Sequence, residues 1–352
     1  MVAKNFEVLS NPIKIYRRML EDIRGAKKFI FLENYIYRND EVGREFREAL
    51  TKKAREGVKI KILLDSYGSW VDERFFRELT KVGGEVRFFR EIQYTWRIVS
   101  KNHERDHRKL LLIDNKISYI GSINITKDFI DWRELVLRLE GDITFDFVRA
   151  FNSTWRNYGQ ITLKKVFRFI HEEFEIIQDI PSDLKRYTEE KYVHLIKKAK
   201  KEILIETPYF IPSFRIRRAF LNAVKRKVKI KIILPYRSNW RIVDVLRNRY
   251  LGFLNNVGAQ IYYYKPGMLH SKLLIVDGSF FILGSSNLDY RSLIHNFEIN
   301  LLGRNKDISL ALKDHFEETL THSQPFSFSD WRRRSSAIKV LELIFEKIKR
   351  FF

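Results

Sequence analysis

Short runs of apolar, β-branched and aromatic residues alternate along this chain with longer segments in which apolar residues recur every three to four positions. The short runs are typical of buried strands, and the longer segments are typical of amphipathic helices. The predicted helices cover residues 13–26, 41–56, 72–82, 188–201, 214–227 and 240–257. Strands alternating with helices of this length indicate βαβ units around a mixed or mostly parallel sheet, so the predicted fold class is α/β.

The apolar runs recur in the same order in the two halves of the chain. Residues 58–64 are VKIKILL, and residues 228–234 are VKIKIIL. The runs before and after the first copy have counterparts around the second, so the halves are predicted to be copies of one fold. The predicted organisation is an N-terminal domain (1–155), a connection with no counterpart block (156–187), a C-terminal domain (188–330) and a terminal helix (331–352).

Composition narrows the class of protein. The 352 residues are 45% hydrophobic and include 28 Phe, enough for a sizeable core. The sequence contains no Cys, which excludes disulfides, Cys-ligated zinc, iron–sulfur clusters and a thiolate nucleophile. No apolar run approaches the roughly 18 residues of a membrane span, and the N-terminus lacks the pattern of a secretory signal. The expected location is the cytosol or the cytosolic face of a membrane.

The net charge of +22 implies an anionic partner. Nucleic acid phosphates and an anionic lipid surface both fit such a charge. The alternative is that Lys and Arg only keep the protein soluble or reflect growth at high temperature.

One motif occurs twice, with identical spacing: H-x-K-x4-D-x6-G-S-x-N. A single H-x-K would carry no information, but two full copies at equivalent places in a duplicated chain are specific. The motif residues are His107, Lys109, Asp114, Ser122 and Asn124 in the first half, and His270, Lys272, Asp277, Ser285 and Asn287 in the second.

Each copy is predicted to lie on a strand, a turn and a returning strand, because an apolar run follows the Lys and a turn signal follows the Asp. In a regular strand, the His and the Lys of each copy share one face, whereas the Asp, seven residues after the His, lies on the other. We therefore expect Asp114 and Asp277 to be structural.

The remaining motif residues suit chemistry on a phosphate group. Lys109 and Lys272 supply positive charge, and the Ser and Asn of each copy supply hydrogen-bond donors, so together they are predicted to cradle one phosphate. One His can act as the nucleophile and the other as the general acid, without metal or cofactor. A nucleophilic His needs a partner for its other ring nitrogen, and the candidates Glu134 and Glu298 follow the two His at matching offsets. Their alternative role is that of surface carboxylates.

The paired motifs resemble the phospholipase D superfamily. The segments RDHRK at 105–109, TPYFIP at 207–212 and GSSNLDYRS at 284–292 resemble bacterial cardiolipin synthases of the phospholipase D type most. The resemblance implies two duplicated α/β domains, with mixed sheets flanked by helices, packed as a pseudo-dimer around one active site. It also implies transfer of a phosphatidyl group from one phosphatidylglycerol to another through a covalent phosphohistidine, with release of glycerol. By the habit of the family, His107 is the expected nucleophile and His270 the general acid.

Several members of that family begin with two membrane-spanning helices, and this chain resembles the shorter type without them. We expect it to bind peripherally to anionic phospholipid on the cytoplasmic side of the cell membrane. Residues 331–352 are predicted to form a basic amphipathic helix suited to a lipid interface, or to docking on the protein itself. The predicted membrane contacts are Ile338, Leu341, Phe345 and Ile348 on that helix, and Phe129, Ile130 and Trp132 after the first motif, unless the latter serve ordinary packing.

Two other functions compete with this interpretation. A phosphodiesterase or nuclease of the same mechanism would act on nucleic acid or another phospholipid, and Tyr94, Trp96 and Arg97 would suit a nucleic acid groove. The amphipathic terminus and the lipid-enzyme segments favour phospholipid over nucleic acid. A catalytically silent binding module is the third possibility, but such a module need not keep both motifs. One chain holds both copies, so a complete site does not require a dimer; the oligomeric state stays open.

Overall fold

The computed structural model of the chain describes residues 5–89, 104–158, 169–182 and 184–349. The residues Tyr94, Trp96 and Arg97, which the sequence singles out for a nucleic acid groove, lie outside this part of the chain.

The first half of the chain folds around a mixed sheet whose strand order is β1-β7-β6-β5-β2-β3-β4. The pairs β2–β3 and β3–β4 are parallel, and the other pairs are antiparallel. The strands are β1 (Asn5–Leu9), β2 (Phe29–Asn34), β3 (Lys59–Asp65), β4 (Glu85–Phe89), β5 (Leu110–Ile113), β6 (Ile117–Gly121) and β7 (Val136–Glu140). The helices are α1 (Pro12–Gly25), α2 (Glu41–Arg55), α3 (Arg77–Lys81) and α4 (Ile143–Asn157).

The second half repeats this order and adds a strand at each edge: β16-β12-β11-β10-β13-β14-β15-β9-β8. Its strands are β8 (Phe169–His171), β9 (Phe174–Asp179), β10 (Glu202–Glu206), β11 (Lys229–Pro235), β12 (Gln260–Tyr264), β13 (Leu273–Val276), β14 (Phe280–Gly284), β15 (Glu298–Gly303) and β16 (Ser323–Pro325). Its helices are α5 (Tyr187–Lys198), α6 (Phe214–Lys225), α7 (Arg241–Asn256), α8 (Lys306–Thr321), α9 (Phe328–Arg332) and α10 (Ser336–Lys347). The predicted duplication of one α/β unit is confirmed.

Strand β9 corrects the expectation that the connection 156–187 has no counterpart in the first half. This strand pairs antiparallel with β15, as β1 pairs with β7 in the first sheet. Antiparallel pairing depends on backbone hydrogen bonds, so the two strands can share a place without sharing a sequence. The second sheet therefore takes β8 and β9 from the stretch that the sequence assigns to a connection.

Five of the six predicted helices agree with the structure to within a few residues, and the sixth does not. The predicted helix 72–82 is a turn followed by the short helix α3. Three of its first five residues are charged and exposed, so this segment has few side chains to bury against the sheet.

The two halves share one hydrophobic core. Buried side chains of the first half, such as Phe89 and Leu137, belong to the same cluster as Leu269 and Phe297 of the second. The rings of Phe89 and Phe297 meet edge to face, with centroids 4.9 Å apart. The halves therefore pack tightly enough to hold a site between them. No helix in the described ranges is long and apolar enough to cross a membrane.

Candidate active site

The two motif copies meet at the boundary between the halves. His107 and His270 each stand just before a central, fully buried strand, β5 and β13 respectively. Both imidazoles line one pocket, and the other walls come from both halves of the chain. The pocket-lining residues used below are Tyr35, Asn124, Phe129, Trp132, Asn287, Asp289, Arg291 and Asn296.

Short backbone pairings between the halves fix the approach to each His. The N–H of His107 donates to the carbonyl of Phe297 at 3.0 Å, and the N–H of Phe297 donates to the carbonyl of Arg105 at 2.8 Å. In the other half-site, the N–H of His270 donates to the carbonyl of Arg133 at 2.8 Å. Each motif thus pairs with the segment that leads into the glutamate of the opposite half.

As a result of this pairing, each histidine contacts the glutamate of the other half. His107 Nδ1 lies 3.0 and 3.1 Å from the two carboxylate oxygens of Glu298. His270 Nδ1 lies 2.9 Å from both oxygens of Glu134. The sequence associates each glutamate with the His that precedes it in the same half; in the structure, each glutamate contacts the His of the other half. Both glutamates are fully buried, unlike surface carboxylates.

The electrostatics of each pair place the proton on the imidazole. Burial lowers the pKa of His107 and of His270 to about 4, against the opposing effect of the neighbouring carboxylate. Burial by itself would raise the pKa of Glu298, but His107 lowers it to about 2. An ionised carboxylate can only accept, so a neutral imidazole donates its Nδ1–H to it. Nε2 is then left with a free lone pair.

Ser122 and Ser285 lie behind the glutamates. The hydroxyl of Ser122 donates to Glu134 Oε2, and the hydroxyl of Ser285 donates to Glu298 Oε2. Both hydroxyls are fully buried and outside the pocket lining. The sequence predicts that these serines bind phosphate. In the structure their hydroxyls instead contact the two glutamates, and so orient the carboxylates that orient the imidazoles.

The two lysines are buried beside the histidines. Lys109 Nζ donates to the carbonyl of His107 at 2.6 Å, and Lys272 Nζ donates to the carbonyl of His270 at 2.5 Å. Burial lowers the pKa of Lys109 to about 8 and that of Lys272 to about 7. The positive charges of the two lysines also repel each other, which lowers the pKa of Lys272 further. An anion between them would relieve both effects.

Asparagine side chains supply the remaining polar wall of the pocket. Asn124 Oδ1 accepts the backbone N–H of Ile36 at 3.1 Å, which leaves its amide N–H groups for the pocket. Asn287 Oδ1 is buried without a hydrogen-bond partner in the described part of the chain. Asn296, which sequence reasoning missed, donates to Glu298 Oε1 at 3.2 Å. The sequence feature that could have indicated Asn296 is its position two residues before Glu298.

The motif aspartates lie away from the pocket. Asp114 accepts the backbone N–H groups of Lys27, Lys28 and Phe29 at 2.6 to 2.8 Å. Asp277 accepts the equivalent three groups, from residues 200–202, at 2.7 to 3.0 Å. Each carboxylate therefore ties the turn after its motif strand to the start of the neighbouring strand, a structural task.

Aromatic rings flank the two imidazoles. The ring of Tyr35 meets His107 edge to face at 4.9 Å, and Trp132 meets His270 in the same way at 5.1 Å. Phe129 stacks on Trp132 at 3.7 Å, and Ile130 packs against the core of the first half. The predicted membrane contacts Phe129 and Trp132 thus form pocket wall beside His270.

The terminal helix α10 docks on the protein through two glutamates and through Phe345, which packs against the core of the second half. Glu342 is buried and takes two hydrogen bonds from Arg334, at 2.7 and 2.9 Å. Glu346 accepts from the Tyr250 hydroxyl at 2.6 Å. Of the predicted membrane contacts, the structure leaves Leu341 and Ile348 exposed, while Ile338 and Phe345 are half-buried.

Comparisons with known proteins agree with this geometry. The family described as "Cardiolipin synthase, PLD-like domain" matches residues 19–155 and 192–320. The cardiolipin synthase of Clostridium perfringens strain 13 is 31% identical over 94% of this chain and 73% of its own length. The major cardiolipin synthase ClsA of Bacillus subtilis is 30% identical over 96% of this chain and 73% of its own.

A solved structure shares the whole architecture. The phosphatidylserine synthase of Haemophilus influenzae superposes with a TM-score of 0.78 over 100% of this chain and 97% of its own, at 13% identity. At that identity the likeness supports the fold alone.

Proposed function

The chain belongs to the cardiolipin synthase family with phospholipase D-like domains, and from that membership and the site we propose how it works. It is a phosphatidyltransferase that acts on phospholipid. The donor and the acceptor are both phosphatidylglycerol, and the products are cardiolipin and glycerol. The observation that carries this proposal is the pair of imidazoles facing one pocket, each with its Nδ1 held by a buried glutamate of the other half.

In the first step, Nε2 of His107 attacks the phosphorus of the donor. Glu298 keeps the proton on Nδ1, so the lone pair on Nε2 is available. The two lysines and the amides of Asn124 and Asn287 stabilise the negative charge that builds on the phosphate oxygens. The anionic phosphate raises the pKa of His270, which gives its proton to the departing glycerol oxygen as the phosphohistidine forms.

In the second step, the hydroxyl of a second phosphatidylglycerol takes the place of glycerol. His270, now neutral, accepts the hydroxyl proton, and the oxygen attacks phosphorus. The bond between phosphorus and His107 breaks, and its electron pair returns to Nε2. Glu134 stabilises the imidazolium that forms on His270.

The test is purified protein with phosphatidylglycerol vesicles and no added metal, with lipids followed by mass spectrometry and glycerol by assay. Cardiolipin and glycerol appearing together are the expected result. Phosphatidic acid in place of cardiolipin would mean that water is the acceptor. If no lipid product forms, the nuclease alternative is examined with labelled single-stranded DNA.

Substitution of the two histidines separates their roles. His107→Ala and His270→Ala are each expected to abolish transfer. A phosphoenzyme that is trapped in His270→Ala and absent from His107→Ala identifies His107 as the nucleophile. The reverse pattern would exchange the two roles.

We further propose that the pocket opens toward the cytoplasmic side of the cell membrane, to which the protein binds peripherally. Tyr67 and Trp240 line the pocket and are about half exposed. Nearby, Lys349 Nζ lies 5.6 Å from the ring centroid of Tyr290, the residue between the pocket residues Asp289 and Arg291. The chain just after α10 therefore reaches a residue next to the pocket lining.

The exposed face of α10 is suited to a lipid interface. Its outward side chains are Val340, Leu341, Leu343, Ile344 and Ile348, from 40% to 55% exposed. A helix that buries glutamates and presents aliphatic side chains gains from inserting that face among lipid chains. The net charge of +22 adds attraction to anionic headgroups.

The double substitution Leu341→Ser with Ile344→Ser tests this surface without removing the docked face of the helix. We expect sedimentation with phosphatidylglycerol vesicles to weaken about tenfold or more, from the lost burial of two aliphatic side chains, at unchanged melting temperature. The matched control is Leu310→Ser, an exposed leucine on α8, which should bind as the wild type does. Unchanged vesicle binding of the double variant would show that α10 is not part of the membrane-binding surface.

A further inference from the structure

The proposed transfer places two phosphate groups in one site, and this inference rests on that proposed function. The first phosphate is the one that undergoes transfer, and the lysines of the two motifs hold it. The acceptor carries a phosphodiester of its own, one glycerol bridge away from the attacking hydroxyl. Without a further cation, that second negative charge would be repelled by the first.

A cation outside both motifs lines the pocket. Arg291 is half-buried in the wall that also contains His107 and Asn287. Its guanidinium forms no ion pair with any carboxylate of the residues that the structure describes. Other arginines near the site are held in place: Arg108 by Thr154 and by backbone carbonyls, and Arg133 by Glu318.

Arg291 lines the same pocket as His107 and Tyr35. Its charge acts on Tyr35, whose pKa burial raises to about 12. The Tyr35 ring in turn meets His107 edge to face at 4.9 Å. The guanidinium thus lines the pocket that the attacking imidazole also lines. A planar guanidinium can also hold two phosphate oxygens at once.

We propose that Arg291 binds the phosphodiester of the acceptor while the acceptor hydroxyl stands over the phosphohistidine. The hydroxyl oxygen then attacks phosphorus, the bond from phosphorus to His107 Nε2 breaks with return of its electron pair, and the hydroxyl proton passes to His270. Arg291 touches neither the transferred phosphate nor the proton. It selects, among alcohols, those that carry an anionic group one glycerol bridge from the hydroxyl.

Two soluble acceptors, one that carries that phosphodiester and one that lacks it, test the proposal. Deuterated glycerol and glycerophosphoglycerol, the deacylated headgroup, compete in one reaction with phosphatidylglycerol in detergent micelles as donor. Both products form from the same phosphoenzyme, so their ratio does not depend on the amount of active protein. Micelles also remove the membrane surface as a variable.

We expect the wild type to favour glycerophosphoglycerol and Arg291→Gln to lower the product ratio by about tenfold or more, the effect of losing a charge-assisted contact. Arg291→Lys keeps the charge and should recover part of the ratio. Arg77→Gln, an exposed arginine of α3 outside the pocket lining, should keep the wild-type ratio.

An unchanged ratio in Arg291→Gln, or no preference in the wild type, would overturn the acceptor site. Absence of all transfer by the wild type, including formation of cardiolipin from the micellar phosphatidylglycerol, would instead overturn the proposed function. The two failures are distinguishable, because in the first case labelled phosphatidylglycerol still forms. If Arg291→Gln does not fold, the product ratio of Arg291→Lys tests the proposal, because lysine keeps the charge but lacks the planar guanidinium. A wild-type ratio in Arg291→Lys would then overturn the bidentate contact.

Discussion

A histidine that attacks phosphorus must present one nitrogen without a proton, and in this chain a carboxylate from the other half supplies that condition. The pairs His107–Glu298 and His270–Glu134 are buried from water on all sides except the pocket. Ser122 and Asn296 hold the carboxylates in turn. The tautomer of each imidazole is therefore fixed by a buried carboxylate and by the side chain that holds this carboxylate.

The crossed pairing predicts which histidine responds to which glutamate. Glu298→Gln should lower the pKa of His107 further and leave that of His270 nearly unchanged, because an amide cannot balance an imidazolium. Glu134→Gln should do the opposite. Transfer should fall roughly 10- to 100-fold in either variant, as for lost orienting groups at other sites. Titration of ring ¹⁵N signals checks the prediction, and a response of His107 to Glu134→Gln would contradict the crossing.

The same groups predict the pH dependence of kcat/KM. Protonation of His107, whose pKa is about 4, removes the nucleophile, so activity should fall below about pH 4. Deprotonation of Lys272 and Lys109, with pKa values of about 7 and about 8, removes the charge that holds the donor. Activity should therefore also decline above pH 7 to 8. Initial rates in micelles from about pH 3 to about pH 10 give the profile, and an undiminished rate at the alkaline end would contradict it.

At the scale of elements, one aspartate per half joins the motif turn to the strand beside it. Asp114 and Asp277 also adopt left-handed backbone, with φ of 55° and 54°. The equivalent residues thus have the same conformation and the same three backbone partners. The left-handed backbone and the three accepted hydrogen bonds both disfavour alanine at these two positions. Asparagine can adopt the left-handed backbone, but it lacks the negative charge of the carboxylate.

Asp277→Ala should therefore lower the free energy of unfolding by about 2 to 3 kcal/mol, from unsatisfied N–H groups and backbone strain. Asp277→Asn should lose less, and both should keep transfer activity at temperatures where they are folded. Urea unfolding measures the change. Asp314→Ala, on an exposed part of α8, is the control that should leave stability unchanged. Loss of activity in a folded Asp277→Asn would indicate a chemical role instead.

The sequence predicted those elements whose signals are local. Hydrophobic periodicity located the sheet strands that follow each motif and most helices, and strand parity separated Asp114 from His107. Strand β9 escaped prediction because it matches β1 in backbone pairing and not in side chains. The stripe on α10 was visible, but which side docks depends on Tyr250 and Arg334, whose contacts with the helix are made only after folding.

The site was predictable in its residues but not in its contacts. The two motif copies and their following glutamates are apparent from spacing alone. The crossing is not, because it depends on the pairing of residues near 106 with residues near 297, and near 133 with those near 269. Ser122 was expected at the phosphate, whereas its hydroxyl contacts Glu134 of the same half, a contact that the motif spacing does not show.

At the scale of the whole molecule, the shared core holds two lysines close together in a buried space. Lys109 and Lys272 come from different halves, and because the halves are packed, Lys109 lowers the pKa of Lys272 and each lysine lowers the pKa of the histidine of the other half. In the absence of an anion, this arrangement destabilises the folded protein, because burying like charges carries a free-energy cost. Binding of an anion should reverse that effect and take up protons at the lysines.

Sulfate, whose charge is constant near neutrality, should therefore raise the melting temperature more at pH 6 than at pH 9. At tenfold excess over its Kd the rise should be roughly 2 °C. Lys272→Met should melt higher than the wild type without sulfate and lose the specific response to it, because the variant removes a buried charge and with it the anion site. Lys52→Met, on the exposed side of α2, corrects for general salt effects. A rise that is equal at both pH values, or that Lys272→Met retains, would show that the lysines do not act as one anion site across the two halves.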